Sequence, residues 1–450
     1  MTNPFRFFAT GVYLPVIEDE AEVDSQYKKY RRSVLLAATL GYGFAYPLRL
    51  AMSIVKKPLL DAGIFTASEL GMIGAALFYV YAVAKLTNGF LADHANIRRF
   101  FAVGVLLSSI VNLFMGWSTV FWVWVLLWGL NGWFQGFGAP SGAVALSNWF
   151  SNRERGRFYG IWSTAHSVGE GLTFIVVAPL VSFFGWQAGF WGPGLFGIFT
   201  AIGIYTFLKD RPQTLGLPSV ADWKNDHGQP GSGDQDGAKT TRQLQLSILK
   251  MPAIWVLGLA SATMYTTRYA VNSWGILYLQ EELGYTLVQA GSLIGISTFA
   301  AILGSVAYGF ISDKLFASRR PPTTLIFGAL EVIALLLIFY GPAENPVLLT
   351  AAFILYGFTL SGILAALGGL FAIDIAPKKA AGAAMGIMGI FSYIGAAIQE
   401  QISGHLIESG TTLVEGVRVY DFSTVILFWI GSSVVSLLLA SSLWRVRVRE

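Results

Sequence analysis

The chain has no cysteine, only four histidines, and charged residues at just 12% of its 450 positions. The first lack excludes disulfides, thiolate metal sites and cysteine nucleophiles. The second argues against a dedicated zinc enzyme. No nucleophile–base or metal constellation stands out either, so neither an enzyme nor a cofactor is expected. The third sets the chain apart from soluble proteins, in which about a quarter of residues are charged. Hydrophobic residues make up 54% and glycine fills 50 positions. A water-soluble core cannot hide that much apolar surface, whereas lipid solvates it. The net charge of +4 is small and scattered, so nothing favours a nucleic-acid partner. An all-α polytopic membrane protein in a lipid bilayer is expected.

Apolar runs long enough to cross a bilayer follow Arg31 and Arg32. The expected spans are 33–56, 68–92, 100–118, 120–147, 157–183, 187–208, 252–280, 287–312, 322–341, 346–373, 380–407 and 421–444. They make twelve transmembrane helices in two sets of six. Residues 1–32 lack a cleavage site after their apolar stretch and read as an N-terminal tail. Residues 209–251, with the string PGSGDQDG, read as a flexible linker, and 445–450 as a C-terminal tail. The two halves are then 33–208 and 252–444. One set of loops carries Arg98, Arg99, Arg153, Arg155, Arg157, Lys314, Arg319, Arg320, Lys378 and Lys379. The other carries Lys56, Lys57 and Arg418 among several glutamates. By the positive-inside rule both tails and the linker are cytoplasmic.

The loop after the second span reads GFLADHANIRR and that after the eighth reads GFISDKLFASRR. Asp93 and Asp313 lie 220 residues apart at equivalent places, which points to duplicated halves related by pseudo-symmetry. This motif resembles the signature of the major facilitator superfamily. The resemblance implies that Asp93, Arg98, Arg99, Asp313, Arg319 and Arg320 are gating residues. A carboxylate and neighbouring guanidinia can pair in one conformation and part in another.

Inside the spans remain Arg49, Lys85, His166, Glu170, Arg268, Glu331 and Glu400. A cation at the centre of a span costs roughly 2.5–3.5 kcal/mol, so three cations together cost on the order of 9 kcal/mol unless they line water. Arg49 and Arg268 stand 219 residues apart, matching the repeat. They are therefore expected opposite each other near mid-membrane, as a clamp of two planar, permanently charged forks suited to an oxyanion such as phosphate. Tyr42, Tyr46 and Arg49 share a helix face, as do Tyr81 with Lys85, Trp162 with His166 and Glu170, and Tyr265 with Arg268. These rings and cations are the candidate substrate site. Pro47 is expected to open the first helix beside Arg49. Glu331 is expected to face the bundle and pair within the protein.

Over most of its length the chain resembles the organophosphate:phosphate antiporters, within them the hexose-6-phosphate transporter and sensor branch. The stretches that carry the likeness include YAVAKLTNGFLADHANIRRF, WFSNRERGRFYGIWSTAHSVG, KDRPQTLGLPSV and RYAVNSWGILYL. The resemblance implies a major facilitator fold and exchange of a sugar phosphate for inorganic phosphate by alternating access. It implies phosphate binding by Arg49 and Arg268 and accessory roles for Lys85 and His166. Tyr42, Tyr46, Tyr81, Trp162 and Tyr265 match aromatic positions of that site. A bacterial inner-membrane location and a functional monomer are expected. Three departures qualify the likeness: Leu50 follows Arg49 where the family usually has a lysine, and the acids Glu170 and Glu400 are extra. Both acids are candidates for proton coupling or selectivity. A proton-coupled transporter of a related organic anion, or a sugar-phosphate receptor signalling to a membrane sensor kinase, are the alternatives.

Overall fold

The computed structural model describes residues 7–226, 241–317, 319–342, 344–376 and 381–446. The expected Lys378–Lys379 loop, the centre of the linker and the last four residues lie outside them. In hydrocarbon every backbone N–H must find its partner inside the segment, and the apolar runs accordingly fold as helices. Ten helical stretches among the described residues are long and apolar enough to cross a membrane.

The first half comprises α1 (Glu20–Phe44), α2 (Pro47–Asp61), α3 (Ala67–His94), α4 (Ile97–Met115), α5 (Phe121–Gln135), α6 (Gly138–Trp149), α7 (Asn152–Phe184) and α8 (Ala188–Phe207). Two short helices, α9 (Val220–Lys224) and α10 (Thr241–Ile248), follow. The second half comprises α11 (Pro252–Tyr269), α12 (Gly275–Glu281), α13 (Leu287–Leu315), α14 (Arg320–Tyr340), α15 (Pro346–Ala365), α16 (Phe371–Ile375), α17 (Ala381–Ser409) and α18 (Ser423–Ser442). A two-stranded hairpin, β1 (Thr412–Val414) with β2 (Val417–Val419), joins the last two helices.

The first crossing is longer than the 33–56 expected. It begins at Glu20, capped by Asp19, and runs to Asp61 with a break at Ala45–Tyr46. Pro47 supplies that break, because it cannot donate to the preceding turn. Three other crossings are interrupted, among them that of α15 and α16, which a π-helical turn at Ala366–Leu370 separates. Gly136–Phe137 separates α5 from α6, and a π-helical turn, Ala270–Trp274, separates α11 from α12.

The halves meet along two antiparallel seams, α3 with α17 and α7 with α13. Small residues allow backbones to touch there. A Cβ on Gly71 would stand 2.5 Å from the Glu400 carbonyl oxygen, and one on Gly291 would stand 2.7 Å from that of Phe174. Both contacts lie on the side opposite the G-F-x-x-D loops, here called the far side. Toward the loop side, a Cβ on Gly89, Gly160, Gly309 or Gly386 would meet nothing within 4 Å. The seams are therefore closed on the far side and part toward the loop side.

The start of the expected flexible linker is folded against the helices. Asp210 Oδ1 accepts the Ile97 N–H at 2.9 Å, at the first residue of α4, and the Trp149 indole donates to the Asp210 carbonyl at 3.1 Å. Tyr27 stacks on Trp223 at 4.0 Å and its hydroxyl donates to the Pro218 carbonyl. Residues 8–17, read as tail, also dock: Asn96 N–H donates to Phe8 O at 2.7 Å and Ile17 N–H to Gly216 O at 2.9 Å.

Candidate functional site

Arg49 follows the Pro47 break, in the first turn of α2, and Arg268 ends α11 beside the π turn. Both interrupted helices thus bring an arginine to a place where the regular helix stops. Arg49 is 9% exposed and Arg268 6%, so neither snorkels to a membrane surface. The Arg49 guanidinium lies 4.0 Å from the Tyr46 ring centroid and 5.7 Å from that of Tyr81. Arg268 lies 5.7 Å from Tyr265 and 5.4 Å from Tyr269. Faces of aromatic rings attract a cation, which helps hold two charges in a dry interior. The Nε of Arg49 is nonetheless buried without a hydrogen-bond partner, an unmet donor such as an anion satisfies.

The rings form a belt across both halves. Trp162 stacks on Tyr42 at 5.1 Å, Tyr42 meets Tyr46 at 5.5 Å, and Tyr46 faces His166 at 6.1 Å. Tyr81 meets Tyr393 at 4.5 Å across the α3–α17 seam. Tyr393 continues to Tyr265 at 5.4 Å, and Phe78 packs on Tyr269 at 4.4 Å. Lys85 is half-buried with its ammonium 5.1 Å from the Tyr393 ring centroid. His166 Nδ1 donates to the Ser163 carbonyl at 3.0 Å, leaving Nε2 as an acceptor when the ring is neutral. Every expected binding residue therefore lies in or beside one belt. The hub Tyr393 and the partners Phe78, Tyr269 and Asn272 were not singled out from the sequence. Tyr269 and Asn272 border Arg268 in the RYAVN stretch, and Tyr393 stands seven residues before Glu400 on the same face of α17.

Two acids find definite partners. Glu170 Oε2 accepts from Arg268 NH2 at 2.7 Å, and its Oε1 accepts from the Asn272 amide. Two arginine charges repelling each other unopposed do not describe this site, since Arg268 already holds a carboxylate. Glu400 lies on the far side, away from the belt. Its Oε2 accepts from Lys56 Nζ at 2.9 Å, and Lys56 also donates to Ser273 Oγ at 2.7 Å. Lys56, read from the sequence as a loop residue, is wholly buried, with its ammonium 3.4 Å from the Trp274 ring centroid. The correction arises because α2 continues past Lys56 to Asp61. Neighbouring Lys57 pairs with Glu281 and Asp61. Glu331 accepts from Ser433 at 2.9 Å, its other oxygen unpaired.

The expected gating residues make contacts to their own halves, to the N-terminal tail and to the start of the linker. Arg320 NH1 bonds Asp313 at 2.9 Å and its Nε bonds Asp374 at 2.7 Å, tying α13, α14 and α16 together. Arg319 donates to the Trp444 carbonyl. In the first half Arg98 donates to the Tyr205 carbonyl, Arg99 to that of Phe7 at 2.9 Å, and Arg211 to that of Asp93 at 2.8 Å. The two copies of the motif therefore differ: a carboxylate–guanidinium network in one, carbonyl contacts in the other.

A small cavity of about 30 Å³ opens beside Arg268, lined by His166, Glu170, Asn272, Ser297, Thr298 and Tyr356 among others. Among the described residues no group of three His, Asp or Glu side chains is placed to hold a metal ion.

The sequence model of the Major Facilitator Superfamily matches residues 33–399. The chain is 36% identical over 394 residues to "Membrane sensor protein UhpC" of Salmonella typhimurium, covering 87% of this chain and 89% of that protein. It is 31% identical over 408 residues to a "Probable hexose phosphate transport protein" of Chlamydia pneumoniae, covering 87% and 88%. Among solved structures, a bacterial homologue of the human lysosomal transporter Spinster, in an inward-facing and unoccupied conformation, superposes with a TM-score of 0.73 at 16% identity. That superposition covers 93% of this chain and 96% of the other.

Proposed function

The chain belongs to the Major Facilitator Superfamily, and we propose that it exchanges a phosphorylated metabolite for inorganic phosphate. A hexose phosphate such as glucose 6-phosphate is the organic substrate. The observation that carries this reading is the pair of buried arginines on opposite halves, in one ring-lined site, with an Arg49 donor unmet. The relative from Chlamydia pneumoniae, named for hexose phosphate transport, supports the substrate class.

In this reading the halves 33–208 and 252–444 rock about the site, joined by a linker over 209–251. The loops rich in Arg and Lys, the linker and both tails face the cytoplasm of a bacterial cell, and the protein works as a monomer in the inner membrane. The closed far side is then periplasmic and the conformation is inward-facing. Phosphate reaches Arg49 first, because Arg268 must share its fork with Glu170. When phosphate also engages Arg268, it joins the halves and allows them to reorient, so an empty carrier stays put. Hydroxyls of the organic part meet Tyr42, Tyr46, Trp162, Tyr265 and Tyr393. His166 Nε2 accepts from a protonated phosphate oxygen, and Lys85 adds attraction from α3. Asp93, Arg98 and Arg99, with Asp313, Arg319 and Arg320, close the loop side in the opposite state.

A sensor role is the second reading, favoured by the likeness to a membrane sensor protein. Purified protein in liposomes separates the two. Exchange predicts rapid uptake of labelled phosphate into vesicles loaded with phosphate or glucose 6-phosphate, and none into empty vesicles. Binding of either ligand with no counterflow favours the sensor. Uptake into empty vesicles driven by a pH gradient would sink obligatory exchange.

A further inference from the structure

Glu170 is held by two partners from the other half, Arg268 and Asn272, and its side chain is 4% exposed. It lines the small cavity together with Arg268, and the other polar lining residues include Ser297, Thr298 and Ser361. Ser297, Thr298 and Ser361 each give their hydroxyl hydrogen to a backbone carbonyl of their own helix. Their oxygens are left to accept hydrogen bonds. Beside the Arg268–Glu170 pair these three oxygens present acceptors, suited to a hydroxyl donor of a ligand.

The charges point the same way. Arg49, Lys85 and Arg268 contribute three positive charges to the belt and cavity, and Glu170 cancels one. The two that remain match a phosphomonoester, which carries about −1.5 to −2 at neutral pH. A substrate with an additional carboxylate would overshoot this balance. It would also bring like charge toward Glu170 in a site with little water, where repulsion is strong.

We infer that Glu170 is a specificity-determining residue: it admits phosphomonoesters whose organic part is uncharged and hydroxylated, and it rejects those that carry a carboxylate. The inference rests on the exchange reading above and names the substrate class within it. Glu170 acts in two ways. It removes one positive charge that a second anionic group needs, and it accepts the hydroxyl hydrogens of a polyol. Asn272 keeps the carboxylate turned to Arg268.

The test is competition against labelled phosphate exchange in phosphate-loaded liposomes, comparing glucose 6-phosphate with 3-phosphoglycerate. The same two ligands are measured by thermal shift in detergent, which needs no flux. In the unaltered protein glucose 6-phosphate competes well and 3-phosphoglycerate poorly. In Glu170→Gln and Glu170→Thr the ratio of the two half-inhibitory concentrations shifts toward 3-phosphoglycerate by about tenfold or more. Because the readout is a ratio within each protein, a general loss of rate cancels. A ratio within about twofold of the unaltered protein in both variants overturns the filter while leaving exchange intact. An unaltered protein that prefers 3-phosphoglycerate also overturns it. If the unaltered protein binds and exchanges no phosphate at all, the exchange reading itself fails, and the filter with it.

Discussion

Lys56 Nζ lies 2.9 Å from Glu400 Oε2, on helices from opposite halves, with the two side chains 0% and 1% exposed. Nothing in a sequence separation of 344 announces the pair, yet it is the most deeply buried ionic contact described on the far side. Taking two charges out of water is costly, and the attraction between them repays this only while both are present.

Removing one partner is therefore expected to cost about 3–5 kcal/mol. Lys56→Met or Glu400→Gln alone should lower the melting temperature in detergent and abolish exchange. The double variant Lys56→Met/Glu400→Met should regain most of the stability. It should still exchange slowly, because its far-side contact no longer gains from hydration when the halves part. Labelling a single thiol at Ala67→Cys with an impermeant reagent reports the opening. Full exchange in either single variant would show that the pair is dispensable.

Replacing the forks is the direct check on the anion site. Arg49→Lys and Arg268→Lys keep the charge but lose bidentate geometry. Each should lower exchange by about 30- to 100-fold, the weight of a charge-assisted hydrogen bond. Arg268→Lys should suffer further because Glu170 then holds a point charge instead of a fork. Initial rates in phosphate-loaded liposomes decide the matter, and near-normal rates in both would remove the clamp.

Much of this site was legible because a charge inside a span is costly enough to demand an explanation. Arg49 and Arg268 could be paired by the 219-residue repeat alone, and the break at Pro47 follows from its missing N–H. Lys56 was misread for the opposite reason. By composition the apolar run ends at its first lysine pair, although the helix continues and buries Lys56 against the other half. Glu170 was visible as an odd acid, but its salt bridge depends on how α7 meets α11 in space. Tyr393 escaped because the charge that shares its helix face, Glu400, is an acid, whereas rings were noticed beside Arg, Lys and His.

Tyr393 touches Tyr81, Tyr265 and the Lys85 ammonium. Tyr393→Ala should raise the KM for the sugar phosphate about tenfold through loss of ring contacts on both sides of the seam. Tyr393→Phe should restore it if the ring face is what matters. Paired KM and kcat values in liposomes separate binding from turnover, and equal defects in Ala and Phe would assign the effect to the hydroxyl.

Glu331 accepts from Ser433 within the second half. Glu331→Gln keeps an acceptor and removes a charge that is costly to bury. Exchange and its pH profile should be unchanged, with stability equal or slightly higher. A lost or displaced pH profile would make this acid a proton site.

Asp210 joins the linker to α4, and burial pushes its carboxyl pKa upward, against the Ile97 N–H and the nearby arginines. A carboxyl whose pKa is higher folded than unfolded favours the folded state more as pH falls through the folded pKa. Asp210→Asn keeps an acceptor for Ile97 and removes the charge. It should be more stable than the parent near neutral pH, with the difference closing on acidification toward about pH 4. Melting curves in detergent across that range test the sign.

The far-side seal of touching glycine backbones and one sheltered ion pair has a thermal consequence. Opening that side must hydrate Lys56 and Glu400, and the hydration of ions becomes less favourable as temperature rises. Backbone contact between Gly71 and the Glu400 turn buries little apolar area to offset this trend. Warming should therefore hold the far side shut and cooling should release it. The resting orientation of the carrier is, on this account, a thermometer as well as a response to substrate.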